Sequence, residues 1–379
     1  MRGYFYLKMI EHLSRATAGK MGIKNLTKFL IEKYPEVFDR GVKMDEYAHK
    51  TIAIDTAIFM CKFKATAPDA WLDAFVTLIS WMSRSKVHPF FVLDDGFPDE
   101  KAQEKRKRAI ARKKQEDRVN DLEKAVQEYN DKNGKLETIS DAARTLLTDI
   151  WNKESKNSIS SRRVSLLLDR APVASFDIHV VKEKLARMKK HLFTITSKDY
   201  DTLKQLLDVL CVQWKMAPGE AEKECARMVK AKEAAAVLSE DSDCLAYHAD
   251  TFLCKPDFYT KTMRRIKFQK MIDVLDMTPS QFTDFCIMCG TDYNPNIRGI
   301  GVCKSFDLIK KWKTINDLPE KLNTSVLNYK TGRALLTIEE QLPGSITEQP
   351  TRKKPVMEDV KRFFFKHNMR TPIENLGMV

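Results

Sequence analysis

The sequence predicts an α/β protein with a mainly parallel central sheet covered by helices on both faces. Three observations predict it. Short apolar runs ending in acidic residues recur at 49–60, 87–96 and 233–245. Segments with helical apolar spacing lie between them, and strands alternating with helices make βαβ units. The chain has 379 residues, 43% of them hydrophobic, enough to bury a core on each face of a sheet.

The elements follow in order. MRGYFYLKMIEHLSRATAGK (1–20) is basic and mildly amphipathic. It lacks the continuous apolar core of a secretory signal, and reads as a tail ahead of a start at Met21. HKTIAIDTAIFM reads as a buried strand ending near Asp55 and running into a helix. Leu72, Phe75, Leu78 and Ile79 mark the next helix, and VHPFFVLDDG a second strand ending at Asp94 and Asp95. Residues 100–130 are charged and helix-prone, with a basic block over 105–114 that is too one-sided for a merely solvated face. Residues 131–180, with polar SKNSISSRR, read as an insertion of mixed short helices and loop. A helical pattern resumes at Leu203, Leu206, Leu207 and Leu210 and leads into APGEAEKECARMVK. EAAAVLSEDSDCL repeats the strand-to-acid pattern, and TFLCK is a further strand. The organisation is therefore an extension (1–20), an N-terminal region (21–130), the insertion (131–180) and an internal region (181–379) with a helical hairpin at 284–312.

Composition narrows the partners. The formal net charge of +13 favours polyanions, nucleic acid before acidic membranes. The longest apolar stretch, 72–82, contains Asp73 and falls short of the roughly 20 residues of a membrane-spanning helix. Eight scattered cysteines suit buried thiols in a reducing compartment. Cys286 and Cys289 form a lone CxxC. Structural zinc wants four ligands, so these read as two core cysteines on one helix.

Acidic residues cluster at the strand ends. They are Asp55 and Asp95, Glu220 and Glu222 in APGEAE, Asp241 and Asp243 in SEDSD, and Asp292 in CGTDY. Each pair alone has a plain explanation. Glu220 and Glu222 suit the first turn of a helix beginning after Pro218, where negative charge complements the dipole, and Asp241 and Asp243 suit a turn. In parallel α/β sheets, however, ligands bind beyond the carboxyl ends of the strands. Seven carboxylates at one such edge repel unless cations neutralise them. Hard oxygen donors select Mg²⁺, with Mn²⁺ as its substitute. Two such ions about 4 Å apart form the clamp used in phosphodiester hydrolysis. The basic surplus elsewhere attracts the DNA backbone. In NIRGIGVCKSFDLIKK, Gly299 and Gly301 permit close approach of backbone amides to a phosphate, and Lys304 adds charge. The same glycines also suit a plain helix–helix turn.

These motifs resemble one family, the XPG-type structure-specific nucleases, and within it the flap endonucleases. MGIKNL, IAIDTA, VLDDG, APGEAEKECA, SEDSDCL and CGTDY with IRGIG occur in the family's order, from Met21 to about Arg370. The resemblance implies a PIN-like 5′ nuclease fold with a helical arch and a helix-hairpin-helix-type duplex-binding region. It assigns Asp95, Glu220, Glu222 and Asp241 to the first of two Mg²⁺ ions, Asp243 and Asp292 to the second, and adds Asp55. It makes Lys101 and Arg108, seven apart, the residues that steer the scissile phosphate, with one residue deleted after Gly96. It also implies a DNA contact at Gly22, a K⁺ ion at the hairpin, and a monomer acting on duplex/single-strand junctions. The implied activities are 5′ flap cleavage and 5′→3′ exonuclease action in replication or repair, leaving a 5′-phosphate. The expected compartment is the nucleus or a viral replication site, with the cytoplasm as the alternative.

The chain departs from the family in four ways. Gly22 lies behind twenty extra residues. Cys61 replaces a tyrosine that stacks on a base, leaving Phe59 or Phe63 as substitutes. About fifty extra residues precede Glu220. MEDVKRFFF (357–365) resembles a sliding-clamp motif without its leading glutamine. The rival readings are a repair or junction-resolving nuclease of the same family and a non-catalytic DNA-binding protein. The second expects neutral residues among the seven carboxylates, and none is neutral.

Overall fold

The computed structural model describes residues 22–95, 101–161, 176–190, 192–338 and 354–376. The tail at 1–20 and residues 96–100 lie outside them. Two compact units emerge. The first comprises residues up to 102 together with 195 onward, and the second comprises 103–194.

The first unit runs α1 (Leu26–Lys33), β1 (Phe38–Lys43), β2 (Thr51–Asp55), α2 (Thr56–Thr66), α3 (Trp71–Arg84) and β3 (His88–Leu93). The second holds α4 (Ala102–Asp131, whose first residue belongs to the first unit), α5 (Asp141–Ser161) and α6 (Ile178–Lys190). The first unit resumes with α7 (Ser197–Val209), β4 (Gln213–Met216), α8 (Ala221–Lys230), β5 (Ala236–Leu238) and α9 (Asp243–Ala246). It continues with β6 (Thr251–Asp257), β7 (Thr262–Lys267), α10 (Phe268–Leu275) and α11 (Pro279–Cys289). The last helices are α12 (Val302–Trp312), α13 (Tyr329–Leu336) and α14 (Met357–Lys366).

Seven strands form one sheet in the order β1-β7-β6-β5-β2-β3-β4. Strands β6, β5, β2, β3 and β4 run parallel, while β7 and β1 are antiparallel additions at one edge. The α/β expectation matches this sheet. Strands β1, β4 and β7 were not legible beforehand. β4 is four half-buried residues at the open edge, β1 is a short strand at the other edge, and β7, between β1 and β6, is a short strand likewise without a continuous apolar run.

Side-chain alternation divides the core into two layers. Ala53, Val92, Val237 and Phe252 pack on one face with α1, α8, α10 and α11. Ile52, Ile54, Phe91, Leu93, Leu238 and Leu253 pack on the other with α2, α3, α7 and α14. Successive strand residues point to opposite faces, so the apolar runs read in the sequence are strands buried on both sides. Cys286 and Cys289 are both buried on α11 in the first layer. In the MEDVKRFFF segment, Val360, Phe363 and Phe364 are buried in the second layer, and Phe365 is exposed.

The second unit divides the chain differently from the expected boundaries. Its own core joins the basic helix to the insertion through Val119, Leu122 and Val126 of α4, Ala143 and Leu147 of α5, and Val181 and Leu185 of α6. The insertion is thus built on a 21-residue helix rather than short pieces. The low hydrophobic content of 141–161 hid this helix, because only a narrow stripe is buried. Ion pairs from Lys184 and Arg187 to Glu154 and from Lys189 to Glu123 brace the three helices. α4 is 30 residues long, roughly 45 Å at 1.5 Å per residue. Only its C-terminal half enters this core, and Arg106, Lys107, Arg108, Lys113 and Lys114 are exposed.

Asp73, the residue that interrupts the apolar stretch of α3, is a buried anchor. Its Oδ1 accepts the Arg370 N–H at 2.8 Å, the Thr371 N–H at 2.7 Å and the Thr371 hydroxyl at 2.6 Å. Asp73→Ala leaves three donors without this acceptor and is expected to cost about 2–3 kcal/mol, read as a lowered urea midpoint. An unchanged midpoint would show that the anchor contributes nothing.

Candidate metal centre

Strand alternation explains why carboxylates meet on one side of the sheet. Asp55 ends β2 two residues after Ala53, on the α8 face. Ser239 stands two residues after Val237 and donates its hydroxyl to Asp55 Oδ2 at 2.7 Å. On β3, Val92 occupies that same face and Leu93 the opposite one. Continuing the alternation turns Asp94 toward Asp55 and Asp95 away.

The structure follows this rule. Asp94 Oδ1 accepts the Ala221 N–H at 2.8 Å, at the first residue of α8. Its charge is a cause of Asp55's raised pKa, second only to burial. Asp95 is exposed, and its backbone N–H donates to the Gly219 carbonyl at 3.0 Å. The strand-end position expected for Asp95 therefore belongs to Asp94. Parity groups Asp94 with Val92, and the pairing of Val92 with Asp55 shows that this is the pocket's face.

The remaining carboxylates come from three short segments. Glu220 is the N-cap residue of α8 and Glu222 lies in its first turn. Asp241 N–H donates to Ser239 Oγ at 2.9 Å, and Asp241 Oδ1 accepts the Asp243 N–H at 2.9 Å. That bond fixes Asp243 at the start of α9. Asp292 follows Thr291 in a turn tied by Thr291 Oγ1 donating to Asn294 Oδ1 at 2.7 Å and Asn294 Nδ2 donating to the Ile287 carbonyl at 2.8 Å. Glu222, Asp241 and Asp243 each offer an oxygen within 4.8 Å of the others. Lys101 Nζ contacts Glu220, lies 3.4 Å from Glu222 and 3.5 Å from Asp292, and sits 5.5 Å from the centre of the Tyr293 ring.

The electrostatics call for more positive charge than Lys101 supplies. At an effective dielectric constant of about 20, two unit charges 4.8 Å apart repel by about 3 kcal/mol. Three such pairs cost about 10 kcal/mol, comparable to the whole stability of a domain. The acids respond by holding protons. Burial, then the Asp94 charge, pushes Asp55 up to about 7. Burial lifts Glu222 well above the usual range despite the opposing Lys101 ammonium. Burial and then Asp241 do the same to Asp243. Burial works against the Lys101 charge, but Glu222 and Glu220 outweigh it and hold its proton on. Asp243 Oδ1 is buried with no hydrogen-bond partner. Clustered carboxylates with an unsatisfied buried oxygen fit a hard divalent cation held by oxygen donors.

The other expected residues fall as follows. Gly22 has φ +77°, and a Cβ there would collide with Asp241 Oδ1 and Ser242 Oγ, so the backbone at Gly22 packs directly against the carboxylate cluster. Gly299 has φ +80°, Gly301 caps α12, and exposed Lys304 donates to the Gly299 carbonyl at 3.3 Å. Space beside both glycines is open. Arg108 is an exposed residue of α4 in the second unit. Phe59 and Phe63 are completely buried in the second core layer, so neither can stack on a base in place of the missing tyrosine. Tyr247 and Tyr293, which both reach Glu220 Oε2, were not anticipated. A tyrosine just past a short helix and one in a turn after an aspartate carry no functional signal in one dimension.

Residues 21–115 match the description "XPG N-terminal domain" and residues 211–292 match "XPG I-region". The chain is 34% identical over 340 residues to a probable RAD2-like endonuclease, 369L, of Invertebrate iridescent virus 6, covering 83% of this chain and 77% of that protein. It is 27% identical over 320 residues to flap endonuclease 1-A of Sorghum bicolor, covering 80% and 70%. Among solved structures, the catalytic core of Rad2 in complex with DNA substrate superposes with TM-score 0.57 at 12% identity, covering 89% of this chain and 94% of that one. Flap endonuclease-1 of Methanococcus jannaschii superposes with TM-score 0.54 at 17% identity, covering 91% and 95%. These superpositions establish a shared fold.

The raised acids have a thermodynamic signature. A carboxyl whose folded pKa lies above its unfolded value near 4 contributes stability that is lost as pH rises toward the folded pKa. Without metal, Asp55 should erode stability between about pH 4 and 7, and the raised Glu222 and Asp243 act in the same direction. His248, held down to about 4 by burial, works in the opposite direction but equally with and without metal. The gap in melting temperature between Mg²⁺ and EDTA samples is therefore expected to widen from pH 5 to pH 8, because dications bind the ionised carboxylates. A gap independent of pH would contradict the assignment.

Proposed function

The chain belongs to the XPG family of structure-specific DNA endonucleases, and from that premise we propose that it is an Mg²⁺-dependent 5′ flap endonuclease with 5′→3′ exonuclease activity. The observation supporting this reading is the meeting of Asp55, Asp94, Glu220, Glu222, Asp241, Asp243 and Asp292 around one pocket whose acids cannot all ionise unaided. Two dications there would activate a water and stabilise the leaving 3′ oxygen.

The protein's own groups do the rest. The seven carboxylates are the residues that would hold the cations at one sheet edge. The Lys101 ammonium, already among these acids, neutralises charge on the non-bridging oxygens of the scissile phosphate. With Asp94 taking the strand-end position, the one-residue gap before Lys101 and Arg108 disappears, which strengthens their assignment as the phosphate-steering pair. The open backbone around Gly299 and Gly301, with Lys304 and the start of α12, grips duplex phosphates without reading sequence. A K⁺ ion suits the same turn. The exposed basic half of α4 supplies the long-range attraction for single strands. Kinship with iridescent-virus proteins favours action on viral DNA during replication or repair.

The direct test is cleavage of a 5′-labelled flap with Mg²⁺ against EDTA, alongside bubble, nicked and four-way substrates. Mg²⁺-dependent release of the flap is expected, with the other junctions cut more slowly. Preferential cutting of four-way DNA would make the protein a junction resolvase instead. A paired substitution tests the site. Asp94→Ala should lower the cleavage rate at least 100-fold, about 3 kcal/mol of transition-state stabilisation, while flap binding persists. Asp95→Ala should stay within a few-fold of wild type. The reverse pattern would return the metal site to Asp95.

A further inference from the structure

Glu220 is reached by two phenols. Tyr247 and Tyr293 both approach its Oε2, Tyr247 at 3.1 Å, and their hydroxyl oxygens lie 2.6 Å apart. Two hydroxyl protons cannot serve three short contacts. The arrangement with the shortest links runs from Tyr247 to Tyr293 and from Tyr293 to Glu220. In every arrangement the chain of donors ends on Oε2. The other oxygen, Oε1, faces the Lys101 ammonium. One side of the carboxylate is thus held by the protein, and the other is offered to positive charge.

Each tyrosine belongs to a segment that carries other acids of the cluster. Tyr247 closes the short helix α9 that Asp243 opens, and its N–H donates to the Asp243 carbonyl at 3.0 Å. Tyr293 directly follows Asp292 in the turn locked by Thr291 and Asn294. Tyr247 is fully buried. A buried phenol needs a partner for its hydroxyl, so Glu220 is the acceptor around which these segments settle. The two hydroxyls tie together the start of α8, α9 and the 291–294 turn.

We propose that Tyr247 and Tyr293 are positioning residues that fix Glu220 Oε2, and through it the mutual placement of Glu220, Asp243 and Asp292, for divalent-cation binding. This rests on the metal-centre reading above and names the residues that set its affinity. Partners that orient metal ligands commonly change metal affinity 10- to 100-fold when removed. The tyrosines are partly redundant, since either hydroxyl alone can still reach Oε2. Their effects should therefore be strongly non-additive.

The test is Mn²⁺ binding to the DNA-free, full-length protein, followed by electron paramagnetic resonance of free Mn²⁺. Tyr247→Phe and Tyr293→Phe, which remove only the hydroxyls, should each weaken binding about two- to threefold. The double variant should weaken it about tenfold or more, beyond the product of the singles. Raised Mg²⁺ should restore most of its flap cleavage, a change in metal requirement rather than in limiting rate. A double variant that melts normally and binds Mn²⁺ within twofold of wild type overturns the proposal. If the double variant does not fold, Tyr293→Phe decides, because Tyr293 ties the turn that carries Asp292 to Oε2 and is less buried than Tyr247. A two- to threefold loss upholds the clamp, and an unchanged affinity overturns it. Wild-type protein that binds no Mn²⁺ overturns the clamp and the metal centre together. Wild type that binds Mn²⁺ but cuts no flap removes only the proposed activity, and the variant affinities still decide the clamp.

Discussion

Repulsion among buried carboxylates is the constraint on which the site depends. A fold that brings Glu222, Asp241 and Asp243 within 4.8 Å of one another spends free energy comparable to its own stability unless cations are present. The protein meets this in two visible ways. Asp55, Glu222 and Asp243 are biased toward their protonated forms, and Lys101 is drawn into their midst. Neither removes the strain, so the site is a standing demand for dications. Affinity for metal and instability without it are the same quantity seen from two sides.

Such a cluster persists because the scaffold around it is rigid. Two apolar layers clamp the sheet from both faces, and the parallel strands β2, β3 and β5 end at one edge. Backbone groups near that edge are largely committed. Asp94 takes the first N–H of α8, Ser239 takes the Asp241 N–H, and Asp241 takes the Asp243 N–H. Each acid is thereby fixed by a local bond as well as by its element. Gly22 contributes by having no side chain where Asp241 and Ser242 leave no room.

Charge is segregated along the chain. The acids occupy the first unit's strand ends. Arg106, Lys107, Arg108, Lys113 and Lys114 of the basic block are exposed on the half of α4 that lies outside its helical core. A helix buried along its whole length could not present that charge, and one without the α5 and α6 buttress would lack a fixed C-terminal half. The three-helix core of the second unit thus supports a long helix whose N-terminal half carries Arg106, Lys107 and Arg108.

Much of this was legible in one dimension. Apolar runs ending in aspartate marked β2, β3 and β5, because strands buried on both faces need continuous hydrophobicity. Six of the seven clustered acids were legible: Asp55, Asp241 and Asp243 beyond such runs, Glu220 and Glu222 at a helix start, and Asp292 in the CGTDY motif. Other features depended on neighbours distant in sequence. Asp94 rather than Asp95 enters the pocket because β3 pairs with β2 in a register that sets which side each residue faces. Phe59 and Phe63 are unavailable to DNA because α2 turns them into the core. β1, β4 and β7 exist because the sheet offers them an edge. Tyr247 and Tyr293 acquire meaning only when folding carries them to Glu220. Local periodicity determines which segments form strands and helices and where their charges fall. Which side chain faces which partner is decided by pairing register and packing, and no single segment contains that information.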